Sequence, residues 1–305
     1  MTPPQPFGVF GAPPQDVAAV PADAVQFSPV VPGARSLEEA APGSLSGVQM
    51  AAPPGTLERR YALASALRAL APGAPLTVSA PKSKGGGRIA EELVMFGCAV
   101  DAESRRHQRI CRTARPAHIG GSVDEAIAAG ALRFDAHLGL WTQPGIFSWD
   151  RIDAGTAVLL SVLPSFEGRG ADLGCGLGII AKAVLASRAV TQLDLVDIDR
   201  RAIAAARQNV TDARARFHWA DARDFHGVSD ADFVVMNPPF HDGGMEDRAL
   251  GAAFVRRARK MLRGGGTVWL VANRHLPYES VLTETFAKVS LRADEAGYKV
   301  YEAQT

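Results

Sequence analysis

Ala171 to Gly178 reads ADLGCGLG, an apolar stretch that breaks on glycines 174, 176 and 178 and continues into LGIIAKAVLAS with helical apolar spacing. A strand that turns straight into a helix on glycines opens a crossover unit. Glycine allows the backbone to turn sharply and to approach a ligand with no Cβ in the way. A nicotinamide fingerprint, G-x-G-x-x-G, needs glycine at 179, where Ile179 stands. Asp172 lies just before the turn. A carboxylate there would repel a pyrophosphate and suits a ligand that carries a cationic amine.

Reading outward, short apolar strands alternate with helices to the end of the chain. TQLDLVDI is a strand, DRRAIAAARQNV a helix, ARFHWAD, DFVVMN and TVWLVAN further strands, and GAAFVRRARKML a helix between the last two. Strands separated by helices need right-handed crossovers and predict an α/β fold with a parallel sheet covered on both faces. KVSLRADEAGYKVYEA instead reads as two strands joined by a tight turn, an antiparallel hairpin at one sheet edge.

The second strand ends in VDID, which places Asp197 and Ile198 where a carboxylate takes ribose hydroxyls. The third leads into WADARDF, bringing Asp221 and Ala222 to the same edge, with Asp221 as acceptor for an adenine amino group. Cys175, inside the turn, is expected to line the pocket as a small side chain rather than to act as a nucleophile. A pocket for ribose, adenine and an ammonium group fits S-adenosylmethionine and fits phosphate-rich cofactors poorly.

VVMNPPF, Val234 to Phe240, stops the next strand on two prolines, which have no N–H to donate to a ladder. The stop should lie beside the glycine turn. Pro238 and Pro239 would stiffen the backbone so that the Asn237 side chain and the Pro238 carbonyl converge as two acceptors for an exocyclic NH₂. Phe240 would stack on the planar group that carries it. Accepting both hydrogens frees the nitrogen lone pair and aims it at a methyl donor. His241 and Asp242, which follow, are expected to shape the loop.

The 305 residues suffice for about two domains at ~100–200 residues each. Residues 1–20, rich in proline, read as a disordered tail, 21–130 as a first domain and 131–305 as the second. Between Thr56 and Phe134 there are 12 basic and seven acidic side chains, a surplus that suits nucleic-acid phosphate or simply a solvated face. KSKGGGR, Lys82 to Arg88, lacks phosphate-loop spacing and reads as a flexible basic loop. Cys98, Cys111 and Cys175 have no C-x-x-C spacing and the histidines are scattered, so neither a disulfide framework nor a metal is expected. No apolar run is long enough for a membrane span and no secretion signal is present, so a cytoplasmic protein, monomeric by expectation, is predicted.

On DLGCGLG, VDID, NPPFHDG, VANRHLPYESVLTETF and YKVYEA the sequence resembles the class I S-adenosylmethionine-dependent methyltransferases, and more narrowly the ribosomal RNA small subunit methyltransferase C family of guanine-N2 methyltransferases. The resemblance implies a Rossmann-like seven-stranded sheet with a C-terminal antiparallel hairpin, preceded by a degenerate copy of the same fold with an RNA-binding or structural role. It implies methyl transfer to the N2 amine of a guanine in ribosomal RNA or a ribosomal subunit. Large-subunit RNA and release-factor glutamine remain alternative substrates. PGIFSWDRIDAGTAVLL, Pro144 to Leu160, also takes part in the resemblance. It implies that Phe147, Asp153 and Gly155 pack over the cofactor site.

Overall fold

A computed structural model describes residues 5–14, 20–239, 241–242, 245–246 and 248–305. The chain divides into two units, Met1–Leu132 with Gln143–Gly145, and Arg133–Thr142 with Ile146–Thr305.

Unit 1 contains β1 (Phe7–Phe10), β2 (Val25–Phe27), β3 (Gly47–Ala51), α1 (Thr56–Ala69), β4 (Pro75–Pro81), α2 (Ile89–Met95), β5 (Asp101–Arg105), β6 (Gln108–Ala114) and α3 (Gly121–Gly130). Its sheet runs β2-β1-β3-β4-β6-β5, parallel through β4 and antiparallel across β6 and β5. Leu63, Leu67 and Leu70 pack with Met50, Leu76 and Val78 in its core. Arg59 is buried in unit 1 and forks onto the equally buried Glu92, Nε to Oε2 at 2.6 Å and Nη2 to Oε1 at 2.8 Å. Its Nη1 donates to the Pro54 carbonyl at 2.8 Å.

Two expectations are corrected here. The first 20 residues are not all tail, because Phe7–Phe10 form β1, an interior strand held between β2 and β3. Prolines 6 and 13 flank these four residues without entering the ladder, and pairing on both sides stabilises a strand too short to show a period. Lys82 to Arg88 is not a loose loop but two 3₁₀ turns, Lys82–Lys84 and Gly86–Arg88. A Cβ on Gly86 would come within 2.6 Å of the Ala80 carbonyl oxygen, so the glycine permits close packing there.

Unit 2 opens with a ribbon, β7 (Arg133–Asp135) and β8 (Leu140–Thr142), followed by α4 (Ala154–Val162), β9 (Gly168–Leu173), α5 (Ile179–Leu185), β10 (Val190–Asp197), α6 (Arg200–Asn209), β11 (Ala215–Trp219) and β12 (Ala231–Met236). The short pair β13 (His241–Asp242) and β14 (Met245–Glu246) leads to α7 (Arg248–Met261), β15 (Leu262–Asn273), α8 (Tyr278–Thr285), β16 (Lys288–Glu295) and β17 (Tyr298–Gln304). The seven-stranded order is β11-β10-β9-β12-β15-β17-β16. Pairing is parallel from β11 to β15, whereas β17 is antiparallel to both β15 and β16. Ala296 and Gly297, both at positive φ, make the predicted tight turn between β16 and β17.

The run Phe233-Val234-Val235-Met236 explains why the sheet is covered twice. Val234 and Met236 enter one core with Phe254, Val255 and Met261, and Phe233 and Val235 enter the other with Leu195, Trp269 and Val271. Side chains alternate faces along a strand, so an unbroken apolar run is what two covered faces require. The chain builds outward from β9 through β10 to β11, then returns to β9's other side with β12. This reversal sets the switch point where open α/β sheets bind ligands.

Candidate active site

Register places the functional ends of the strands side by side. Leu173 pairs with Val196 on one side and Met236 on the other, and Met236 pairs with Leu270. The residues that come next, Gly174, Asp197 and Asn237, therefore emerge together at the carboxyl edge. A Cβ placed on Gly174 would lie 3.9 Å from the Asn237 carbonyl oxygen.

The glycine turn is held by backbone bonds to β10. Gly174 and Cys175 both donate to the Val196 carbonyl, at 2.8 and 3.1 Å, and Gly176 donates to Asp197 Oδ2 at 2.8 Å. Gly174, Gly176 and Gly178 all have positive φ, at 78°, 52° and 79°. L side chains are strained in that region, which is why glycine stands at each position. Gly178 has a second reason, since a Cβ would meet Val210 Cγ2 at 2.8 Å.

Three titratable groups sit under this turn. Asp172 is fully buried, and among the described residues neither carboxylate oxygen has a hydrogen-bond partner of normal geometry. Burial first, and then the charge of Asp197, push its pKa up to about 8, with the Ala181 amide pulling the other way. Burial likewise raises Asp197 to about 6, opposed by the N–H groups of Asp199 and Gly176. Burial and the two aspartates hold the Cys175 thiol well above its ordinary value, so it stays protonated and inert.

Asn237, half-buried, is fixed from the side by the start of α4. Its Nδ2 donates to Asp153 Oδ2 and to Thr156 Oγ1, both at 2.9 Å. Asp153 is also the N-cap of α4, accepting from the Thr156 amide at 2.8 Å. The structure thus turns Asp153 toward Asn237, a contact that differs from the cofactor contact implied by the resemblance. Gly155 is explained by packing, since a Cβ there would lie 2.8 Å from the Tyr298 ring. Thr156 was not singled out in the sequence. Its only signal was a place three residues after an N-cap aspartate.

The remaining predicted residues divide. Pro238 and Ala222 are buried, Pro239 is exposed, and Ile198 is exposed beyond Asp197, its carbonyl accepting from the Trp219 indole at 2.8 Å. Asp221 spends both oxygens on Arg223, which holds its pKa below the usual carboxylate value, so an adenine amino group would compete with that guanidinium. Phe147 is exposed on the surface. Phe240 lies outside the described residues.

Residues 137–302 match the methyltransferase small domain family. A ribosomal RNA small subunit methyltransferase C from Shewanella loihica is 30% identical over 250 residues, covering 79% of this chain and 72% of that protein. The chain belongs to this family. A second member of the family, from Shewanella amazonensis, is 38% identical over 160 residues, 52% of this chain and 46% of its own length. A solved T. thermophilus 16S rRNA N2 methyltransferase, in complex with AdoMet and guanosine, aligns with a TM-score of 0.79 at 24% identity. The match covers 100% of this chain and 89% of that one, and supports the fold. The methyltransferase's residues fit S-adenosylmethionine. The buried Asp172 carboxyl, with neither oxygen well hydrogen-bonded, is costly to ionise in isolation, and a cationic amine, which that molecule carries, relieves that cost. Among the described residues no helix is long and apolar enough to cross a membrane, and no three His, Cys, Asp or Glu side chains group as a metal site.

Proposed function

We propose that this methyltransferase moves a methyl group from S-adenosylmethionine to the exocyclic N2 amine of a guanine in small-subunit ribosomal RNA, in the cytoplasm. The observation that carries the reading is the Asn237 carboxamide, anchored by its nitrogen and set beside Gly174 at the carboxyl edge where Asp197 also emerges.

When bound, S-adenosylmethionine supplies an electrophilic methyl on a sulfonium. Asp172 would take its ammonium group, Asp197 its ribose hydroxyls, and Asp221 with Ala222 its adenine. The positive-φ glycines let the backbone lie against it. At the other side of the cleft, Asn237 Oδ1 and the Pro238 carbonyl accept the two hydrogens of the guanine amine. That pair of acceptors turns the nitrogen lone pair out of the ring and stabilises the charge that develops there. Holding the amine at one distance and angle supplies much of the acceleration. The nitrogen, once alkylated, loses its proton to water, so no buried base is needed.

Unit 1 would hold the RNA, as a degenerate copy of the unit 2 fold. Its order β2-β1-β3-β4-β6-β5 repeats β10-β9-β12-β15-β17-β16, and Ala12-Pro13-Pro14 stand after β1 where unit 2 has its glycines. The Lys82 amide donates to the His107 carbonyl, which brings Lys82, Lys84 and Arg88 to the same end of the sheet as Arg105 and Arg109. Such a cluster suits phosphate contacts that position RNA without reading its sequence.

The test is tritiated methyl transfer from the donor to ribosomal subunits and, separately, to release factors. Label in small-subunit RNA is expected, and Asn237→Ala should keep cofactor binding while turnover falls by about two orders of magnitude. Label on protein alone would reject the reading.

A further inference from the structure

The nitrogen of Asn237 is the better defined end of that side chain. Asp153 Oδ2 already accepts from the Thr156 amide, so the Asn237 amide atom 2.9 Å from it is the NH₂ and not the oxygen. Thr156 Oγ1 takes the second hydrogen at 2.9 Å. Both hydrogens are therefore engaged, and the carboxamide oxygen is the atom left to face a donor. A flipped carboxamide would point NH₂ at the substrate amine, donor against donor, and would be inactive. Asp153 and Thr156 come from one helix start, and the same Asp153 oxygen caps that helix through the Thr156 amide. Gly155 between them admits the Tyr298 ring at a distance no Cβ would permit. The end of α4 is thus seated on β17 and reaches Asn237 from a fixed direction.

We infer that Asp153 and Thr156 are positioning residues, which hold the Asn237 carboxamide in the one flip that presents Oδ1 to the amine being methylated. The inference rests on the proposed role of Asn237 and goes beyond it by saying what makes Asn237 an acceptor. Neither residue touches substrate in this scheme, and neither exchanges a proton. Their effect is on the fraction of enzyme poised to react.

Asp153→Asn separates this role from a structural one. Asparagine caps a helix about as well as aspartate, so α4 should persist and the melting temperature should stay put. An asparagine, however, offers either a donor or an acceptor and no longer dictates the flip. Turnover is expected to fall about ten-fold, the upper range for one hydrogen bond, with KM for RNA and Kd for S-adenosylhomocysteine unchanged within about two-fold. Thr156→Val should behave alike and Thr156→Ser should recover most of the loss. In an Asn237→Ala background neither substitution should cost anything more, because the group they orient is gone. Wild-type turnover in Asp153→Asn, or a Thr156→Val loss that persists in full without Asn237, overturns the inference. Both readings use whichever substrate the wild-type enzyme labels, so their failure is separable from failure of the guanine assignment.

Discussion

Replacing Asp172 by asparagine should make the donor-free enzyme more stable, by an amount that grows with pH. The folded chain holds a proton on Asp172 up to about pH 8, whereas in the unfolded chain the carboxyl ionises near its ordinary value of 3.8. Between those limits the folded state binds one more proton than the unfolded state, so stability is fully present below pH 3.8 and is lost as pH rises through 8. The slope is about 1.4 kcal/mol per pH unit. Asparagine is neutral throughout and removes this dependence. The stability difference, variant minus wild type, should widen by about 3 kcal/mol between pH 5 and pH 7 and level off above about pH 8. All four tryptophans, Trp141, Trp149, Trp219 and Trp269, lie in unit 2, so urea unfolding followed by tryptophan emission reads this unit alone. Affinity for S-adenosylhomocysteine should move oppositely, weakening roughly tenfold to a hundredfold with loss of the charged partner. Parallel stability–pH curves for the two proteins, or a less stable variant at pH 7, would refute the argument, because either means that Asp172 is ionised and satisfied in the folded chain.

Two further outcomes follow from packing. Arg59→Ala leaves the buried Glu92 with little compensation and should destabilise unit 1 by about 3–5 kcal/mol, seen as faster hydrogen exchange in α1 and β3. Arg59→Lys should recover little, since an ammonium cannot fork onto both Glu92 oxygens. Gly155→Ala drives a methyl group into the Tyr298 ring at 2.8 Å and should cost about 1–3 kcal/mol in tryptophan-monitored melting. Adding Tyr298→Ala should reverse much of that loss, and if it does not, the steric account of Gly155 is wrong.

The parallel half of unit 2 was legible because its strands are buried on both faces and read as unbroken apolar runs, as in Phe233 to Met236. The glycine turn was legible for a local reason: positive φ at 174, 176 and 178 admits few other residues. Most of what escaped depends on contacts far apart in the chain. Thr156 matters through a bond to a residue 81 positions away, and nothing in AGTAV announces it. Phe7–Phe10 is a strand because β2 and β3 flank it, which four residues between prolines cannot reveal. Arg223 takes the carboxylate of Asp221 from two residues away, so an acceptor read from position alone proved to be shared with a neighbouring cation.

The like strand order of the two units leaves one trace in the sequence, and that trace separates them. β3 ends in Ala51-Ala52-Pro53-Pro54 and β12 in Met236-Asn237-Pro238-Pro239, each at the carboxyl edge of its sheet. A Pro-Pro corner withdraws two N–H donors from the ladder and leaves carbonyls that must still be satisfied. Unit 1 meets the demand from within: Arg59 Nη1 reaches the Pro54 oxygen at 2.8 Å and the Pro53 oxygen at 3.4 Å, with its charge balanced by Glu92. A guanidinium there offers N–H groups to the same kind of carbonyl that, in unit 2, is proposed to receive a guanine amine. Ala52 in place of Asn237 removes the side-chain acceptor, and a filled corner has no call for one. The difference between a closed sheet edge and a catalytic one then lies in who supplies the donor, an arginine of the chain's own helix or the substrate.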